Sequence, residues 1–421
     1  MHILWLKSEL LHPVDKGGKI RTYQTLRHLK ALHQVTYLCL DDGSAAADAE
    51  ARASEYAHTL IRVPFAAPAK GTVAFYADLA RNVFSALPYA VAKYRSPAME
   101  DAIRRAVRER DIDLVVCDFL FPSINVPRDL GRPVLLFQHN VEAAIWRRHA
   151  EAASHPAKRA YMREQFRRMQ AWEREECRRF AHVVAVSEQD ATDFQRDYGV
   201  SEVSHVPTGV DLDFFRPARA VEPDGERLVF VGSMDWMPNE DGIAWFVRTV
   251  LPLIRAELPG ARLDIVGRNP SPAVVALAHE SPGVTVTGTV SDVRPYVEGA
   301  AVSIVPLRVG GGTRLKIYEA MALECAIVST TIGAEGLPLH DGEELVIADA
   351  PEDFAAACVR LMRAPATRAQ LGRAAGERVR REFGWDRAAA AFAATCEHVL
   401  RRSGGAGDAS PAPPPTVVDH A

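Results

Sequence analysis

The stretch with the clearest chemical content is Val309-Gly310-Gly311-Gly312-Thr313-Arg314-Leu315-Lys316-Ile317-Tyr318-Glu319. An apolar run over residues 301–307 precedes it, of the kind that forms a buried parallel strand. Three glycines then let the backbone turn sharply and approach a ligand, because no Cβ intervenes. Thr313 is placed to cap a helix over residues 314–322. Strand, turn and helix together aim unpaired N–H groups and a positive dipole end at the carboxyl edge of a sheet. Arg314 and Lys316 fall in the helix's first turn, where a cation opposes the dipole by roughly 0.3–1 kcal/mol. That placement makes sense if an anion, read here as a diphosphate, binds against the turn. The alternative is a plain strand-to-helix connection with two solvated basic residues. Neither the Walker A ending nor the Gly-x-Gly-x-x-Gly fingerprint occurs in this stretch.

Other polar groups fall at predicted strand ends. Gly17 and Gly18 close the first loop and open a helix, so their N–H groups face a ligand or simply make a turn. His139 follows a buried strand, as a ligand contact or as a satisfied structural histidine. Ser233 lies in the loop Gly232-Ser233-Met234-Asp235, and Arg268 in the next, Gly267-Arg268-Asn269-Pro270. Arg268 reads as a phosphate or sugar contact, or as an exposed turn residue. Gly288 ends a further strand, where backbone groups can meet a nucleobase. Glu319 stands three residues after Lys316. It is either an intrahelical ion-pair partner or a carboxylate accepting hydrogen bonds from ribose hydroxyls.

The elements that must hold these residues alternate. Strands are expected over residues 3–6, 35–40, 59–63, 113–118, 133–137, 182–186 and 203–206, with helices between. These include an apolar helix over 74–93 and a long polar helix or helix pair over 142–180. A second alternating run has strands over 228–231, 262–266, 284–287, 302–305, 326–329 and 345–347, and helices that include 241–257. Alternation of this kind predicts doubly wound parallel sheets, whose ligands sit at the strands' carboxyl ends. The expected organisation is a domain over 1–207 and a proline-bounded connection over 208–217. A second domain covers 218–385, a helix over 386–402 returns to the first domain, and a disordered tail covers 403–421. Two such domains with their carboxyl edges inward would share one cleft.

The 421 residues are 48% hydrophobic and 25% charged, with net charge −4, which does not suggest a dedicated nucleic-acid binder. Six scattered cysteines without a Cys-x-x-Cys pair read as reduced core residues of a cytoplasmic protein. Lys7 and Glu9 break the N-terminal apolar run too early for a signal peptide, and no run is long enough to span a membrane. The basic span 147–179 reads as a solvated helix face, or as a peripheral contact with a membrane or an acceptor.

Taken in order, several motifs resemble the GT-B glycosyltransferases of family 4, with bacterial exopolysaccharide sugar transferases as the nearest kind. They are Gly17-Gly18, His139, Ser187-Glu188-Gln189-Asp190, Pro207-Thr208-Gly209-Val210-Asp211, Gly232, the run from Gly312 to Ala322, and Gly333-Ala334-Glu335-Gly336. The resemblance covers residues 1–402. It implies a GT-B fold of two Rossmann-like domains facing across a cleft. It also implies transfer from a nucleoside-diphosphate sugar to a glycan or lipid-linked acceptor, with retention and without a metal or other cofactor. By the same resemblance His139 would lie beside the donor sugar and Gly17 and Gly18 near its diphosphate or the acceptor. Arg314 and Lys316 would neutralise the diphosphate, and Glu319 would hold the ribose. The chain departs from the family at two points. Gly311 stands where the first of two spaced glutamates is usual, so backbone N–H groups of Gly310, Gly311, Gly312 and Thr313 would meet the sugar. No arginine–lysine pair follows Gly232-Ser233-Met234. A GT-B-shaped sugar-nucleotide epimerase and a catalytically idle sugar-nucleotide-binding module are the alternatives.

Overall fold

The structure is a computed structural model that describes residues 1–69, 71–153, 155–218, 222–309 and 315–404. The chain divides into two compact units. One is Met1–Pro207 together with the chain from Ala388 onward, the other Thr208–Arg387.

The first unit holds a seven-stranded sheet: β1 (His2–Lys7), β2 (Gln34–Asp41), β3 (Thr59–Pro64), β4 (Leu114–Asp118), β5 (Val134–Phe137), β6 (His182–Ala185) and β7 (Val203–His205). Its order is β3-β2-β1-β4-β5-β6-β7 and every pairing is parallel. The second unit has β8 (Asp224–Val231), β9 (Arg262–Val266), β10 (Val284–Gly288), β11 (Ala300–Val305), β12 (Ile327–Ser329) and β13 (Val346–Ile347). These form a parallel sheet in the order β10-β9-β8-β11-β12-β13. Helices cover both faces of such a sheet, so its central strands carry unbroken apolar runs. All of Leu114–Asp118 and all of Ala300–Val305 are buried. In each unit the strand order reverses direction beside the first strand, between β1 and β4 and between β8 and β11. That reversal opens a crevice at the carboxyl edge.

Several expected elements are redrawn. The apolar stretch 74–93 is two helices, Val73–Asn82 and Tyr89–Ala92, with Pro88 capping the second. Proline disfavours helical geometry in the residue before it, which apolar periodicity does not register. The polar stretch 142–180 takes the second of its two expected forms, the helix pair Glu142–Ala152 and Pro156–Arg179, the second opening on its proline. The helix expected over 241–257 starts earlier, at Met237, and passes through a π turn at Phe246–Val250 before Leu251–Glu257. Pro252 lacks the N–H that a continuous α-helix needs at that point.

The segment 208–217 packs within the second unit. Val210 is buried, and its N–H donates to Phe383 O at 2.8 Å. The last helix, Trp385–Gly404, extends past 402, so the expected tail begins two residues too early. Its remainder, 405–421, lies outside the described residues.

Candidate functional site

At the β8/β11 crevice of the second unit, Lys316 projects from the helix Leu315–Ala322. Its Nζ lies 2.8 Å from Asn239 Oδ1 and 4.4 Å from the centroid of the Phe230 ring. Asn239 Nδ2 in turn donates to Ser233 O at 2.8 Å. Gly232 is a requirement of this packing. A Cβ there would stand 2.7 Å from Asn239 Nδ2 and 2.9 Å from Lys316 Nζ. The neighbouring loop is tighter still, since a Cβ on Gly267 would come within 1.6 Å of Gly232 O. Backbone bonds tie these loops together: Gly232 N to Val266 O at 3.0 Å, Met234 N to Arg268 O at 2.9 Å, and Gly267 N to Gly288 O at 3.2 Å. Arg268 Nε donates to Ser233 Oγ at 3.0 Å, and Ser233 Oγ donates to Asp235 Oδ1 at 2.6 Å. That last bond, with Asn269 Nδ2 and Arg268 helping, holds the Asp235 carboxyl below its ordinary range.

The structure therefore brings Ser233, Arg268, Gly288 and Lys316 to the ends of adjacent strands. It adds Phe230, Asp235, Asn239 and Asn269, which sequence reasoning did not assign. Glu319, partly exposed on the same helix as Lys316, has its carboxyl pushed up to about 7 by burial, with Lys316 pulling the other way. Gly310, Gly311, Gly312, Thr313 and Arg314 lie outside the described residues.

The first unit has its own polar cluster at the β1/β4 crevice. Asp118 ends β4 fully buried, and its carboxylate accepts from Lys7 Nζ at 2.9 Å, Thr22 Oγ1 at 2.6 Å and Trp5 Nε1 at 2.8 Å. Burial is the largest single influence and raises this carboxyl, but Lys7, His139 and Thr22 together outweigh it. The net shift is well below the carboxylate range.

His139 is also buried, its Nε2 2.8 Å from Asp118 Oδ1 but off the line of a straight hydrogen bond. Burial pushes the imidazole down to about 3 against the pull of Asp118, so the ring is neutral at physiological pH. Phe119 and Phe137 flank it at 4.2 and 4.5 Å between centroids. Phe119 itself has φ +79°, a left-handed conformation that bulky residues rarely adopt and that collects at functional sites. Gly18 faces the pair, since a Cβ there would sit 3.3 Å from the Phe119 ring and 3.7 Å from His139 Nδ1.

Gly17 opens the helix Gly17–Leu32. Its cap residue Lys16 makes no side-chain cap bond, and its first turn carries no acid. His139 and Gly18 are thus neighbours, as the sequence could not say. Lys7, Thr22 and Asp118 are additions. The available signal was a charged residue ending each of two buried apolar strands.

Behind His139 the polar helix Pro156–Arg179 buries Glu173 and Glu176 as well as Met169 and Cys177. Glu173 accepts from Glu142 N at 2.8 Å, Ala143 N at 3.0 Å, Tyr198 Oη at 2.7 Å and Gln138 Nε2 at 3.1 Å. It thereby satisfies the open N-terminus of the helix Glu142–Ala152. The span 147–179 is accordingly no uniformly solvated face.

Two doubly wound parallel-sheet units are the parts of the GT-B fold of glycosyltransferases. The chain belongs to that class: the Glycosyltransferase Family 4 model matches residues 16–214, and the model for glycosyl transferases group 1 matches residues 225–364.

An uncharacterised 44.6 kDa protein of the cps region of Klebsiella pneumoniae is 30% identical over 131 residues, 29% of this chain and 34% of that protein. D-inositol 3-phosphate glycosyltransferase 2 of Catenulispora acidiphila is 29% identical over 237 residues, 50% of this chain and 54% of the relative. The chain thus spans a third to about half of the length of these curated relatives. Among solved structures, Anabaena HepE in complex with UDP and glucose has a TM-score of 0.66 at 12% identity, covering 94% of this chain and 99% of that one. Sucrose-phosphate synthase from Thermosynechococcus elongatus has a TM-score of 0.68 at 17% identity, covering 97% and 100%. At these identities the likeness establishes the fold.

Proposed function

We propose that the chain transfers a sugar from a nucleoside-diphosphate sugar to a glycan or lipid-linked acceptor, retaining the anomeric configuration and needing no metal. The observation that carries this reading is Lys316 at the β8/β11 crevice, held by Asn239 above Phe230 against the bare backbone of Gly232. An ammonium fixed beside unobstructed strand-end backbone suits a phosphate leaving group, whose developing charge must be stabilised electrostatically. We assign Arg314 a share in that task, with Gly310, Gly311, Gly312 and Thr313 contributing N–H groups. Ser233, Arg268 and Gly288 line the nucleotide side, and Glu319 accepts from the ribose. To the first unit we assign His139 beside the reacting sugar, with Gly17 and Gly18 as the close backbone approach.

HepE has been solved with UDP-glucose, and TarM with UDP and an α-GlcNAc-glycerol, which makes uridine nucleotides the first donors to test. The test is release of free nucleoside diphosphate from a panel of sugar nucleotides, with and without acceptor. Release that requires acceptor, with the α-configuration kept in the product by NMR, is the expected result. Donor interconversion without acceptor would indicate an epimerase, and binding without turnover an idle module.

A further inference from the structure

Among the described residues neither ring nitrogen of His139 makes a straight hydrogen bond, and Phe119 and Phe137 flank the ring. The aim of the imidazole is therefore set largely by its backbone, in the run Gln138-His139-Asn140-Val141 between β5 and the helix Glu142–Ala152. That helix opens without a cap of its own, since its cap residue Val141 has no polar side-chain atom. The carboxylate of Glu173 fills the role from the helix Pro156–Arg179. Its Oε1 accepts from Gln138 Nε2 at 3.1 Å and from Glu142 N at 2.8 Å. Its Oε2 accepts from Ala143 N at 3.0 Å and from Tyr198 Oη at 2.7 Å. One carboxylate thus grips the chain directly before His139 and again at positions 142 and 143.

Glu173 and Gln138 are both 0% exposed, so these bonds form away from water, where a lost partner is costly. An ionised carboxylate only accepts, at about four sites, and here each oxygen meets two donors. A buried carboxylate is an expensive way to cap a helix, and burial pushes this one up to about 7. A serine at position 141 would satisfy the same helix end locally. What Glu173 adds over such a cap is the bond to Gln138, on the far side of His139. We propose that Glu173 is a positioning residue for the transfer reaction, clamping the 138–143 turn so that the His139 imidazole is presented to the reacting sugar. The inference rests on the reading of His139 as the group beside that sugar.

The test compares Glu173→Gln with Glu176→Gln in the full chain. Glu176 is buried on the same helix and pairs with Arg179 instead of the turn. In Glu173→Gln the amide nitrogen faces two donors, so half of the clamp opens. The displaced imidazole should lower kcat about 10- to 100-fold and leave the Kd for UDP unchanged. Made in His139→Ala, the same change should cost less than about twofold more, because its effect passes through a ring that is no longer there. Gln138→Met, which removes only the upstream bond at similar volume, should lower kcat in the same direction and by less. Independently of turnover, the His139 ring resonances, assigned by their loss in His139→Ala, should move in Glu173→Gln and stay in place in Glu176→Gln. An equal loss of kcat with and without His139, or an unmoved His139 resonance, overturns the proposal. So does Glu176→Gln matching Glu173→Gln in every readout. If Glu173→Gln does not fold, Gln138→Met carries both the kcat and the resonance comparison. A wild type that turns over no donor refutes the transferase reading, and the ring resonances still decide whether Glu173 places His139.

Discussion

At the residue scale, Lys316 and His139 differ in how their surroundings prepare them. Lys316 Nζ is held at a sheet edge by Asn239, and Asn239 has a second anchor in Ser233 O. Lys316→Ala should therefore cost the free protein little stability. It should lower kcat/KM by about 10- to 150-fold, the worth of one hydrogen bond to a charged group. Arg314→Ala should do the same, and a nucleoside monophosphate should separate wild type from either variant much less. His139 is a neutral ring beside a buried carboxylate, so its contribution is to position and to accept or donate without net charge. His139→Ala is expected to lower kcat while nucleotide affinity, measured by calorimetry, stays near wild type. Its neighbour is another matter. Asp118→Asn leaves Lys7 buried without its counter-charge, a change that typically costs ~3–5 kcal/mol and that urea denaturation would register.

At the element scale, the helix Glu142–Ala152 begins against a buried carboxylate supplied by another helix. Burial and the neighbouring Glu173 charge push Glu142 up to about 8, and burial pushes Glu173 up to about 7. An unfolded chain releases such protons near pH 4.3. Between that pH and about 8 the folded state binds more protons, so this pair lowers stability as pH rises and ceases to add slope above about 8. Glu142→Gln should flatten that decline and raise the melting temperature at pH 8, with little change at pH 5. A melting temperature in the variant that falls as steeply as in wild type would place the ionisation elsewhere. The strand-end loops carry the other constraint at this scale. Gly267→Ala would force Gly232 O away and loosen three loops at once, a loss visible in both stability and nucleotide affinity.

At the scale of the whole chain, the first unit is completed from the far end of the sequence. Phe392, from the last helix, packs at 5.3 Å from Trp5 and 4.9 Å from Phe137, the residues directly behind Asp118 and His139. Phe392→Ala should destabilise by ~3–5 kcal/mol, as large aromatic truncations in a core do. The lower-melting transition in calorimetry should be that of the first unit. Activity is expected to survive exhaustive chelation, because Lys316 with Arg314 supplies the cationic charge that a metal would otherwise provide. Complete loss restored by magnesium would require a different phosphate site.

The sequence alone determined the alternation of strands and helices, the division into two doubly wound halves, and the strand ends that carry the candidate site. These follow from local pattern: apolar runs, glycine turns and cap residues act within a few positions of one another. Tertiary structure decided what such patterns cannot encode. Lys7 and Asp118 are 111 residues apart and carry no mutual signal until β1 and β4 pair side by side. Asn239 meets Lys316 across 77 residues for the same reason, because the strand order reverses between β8 and β11. Val73, Tyr76, Val83 and Phe84 are exposed while Phe75 and Leu79 of the same stretch are half-buried, which the apolar pattern did not show. Periodicity shows that a helix has an apolar side, and only packing decides which side faces the protein.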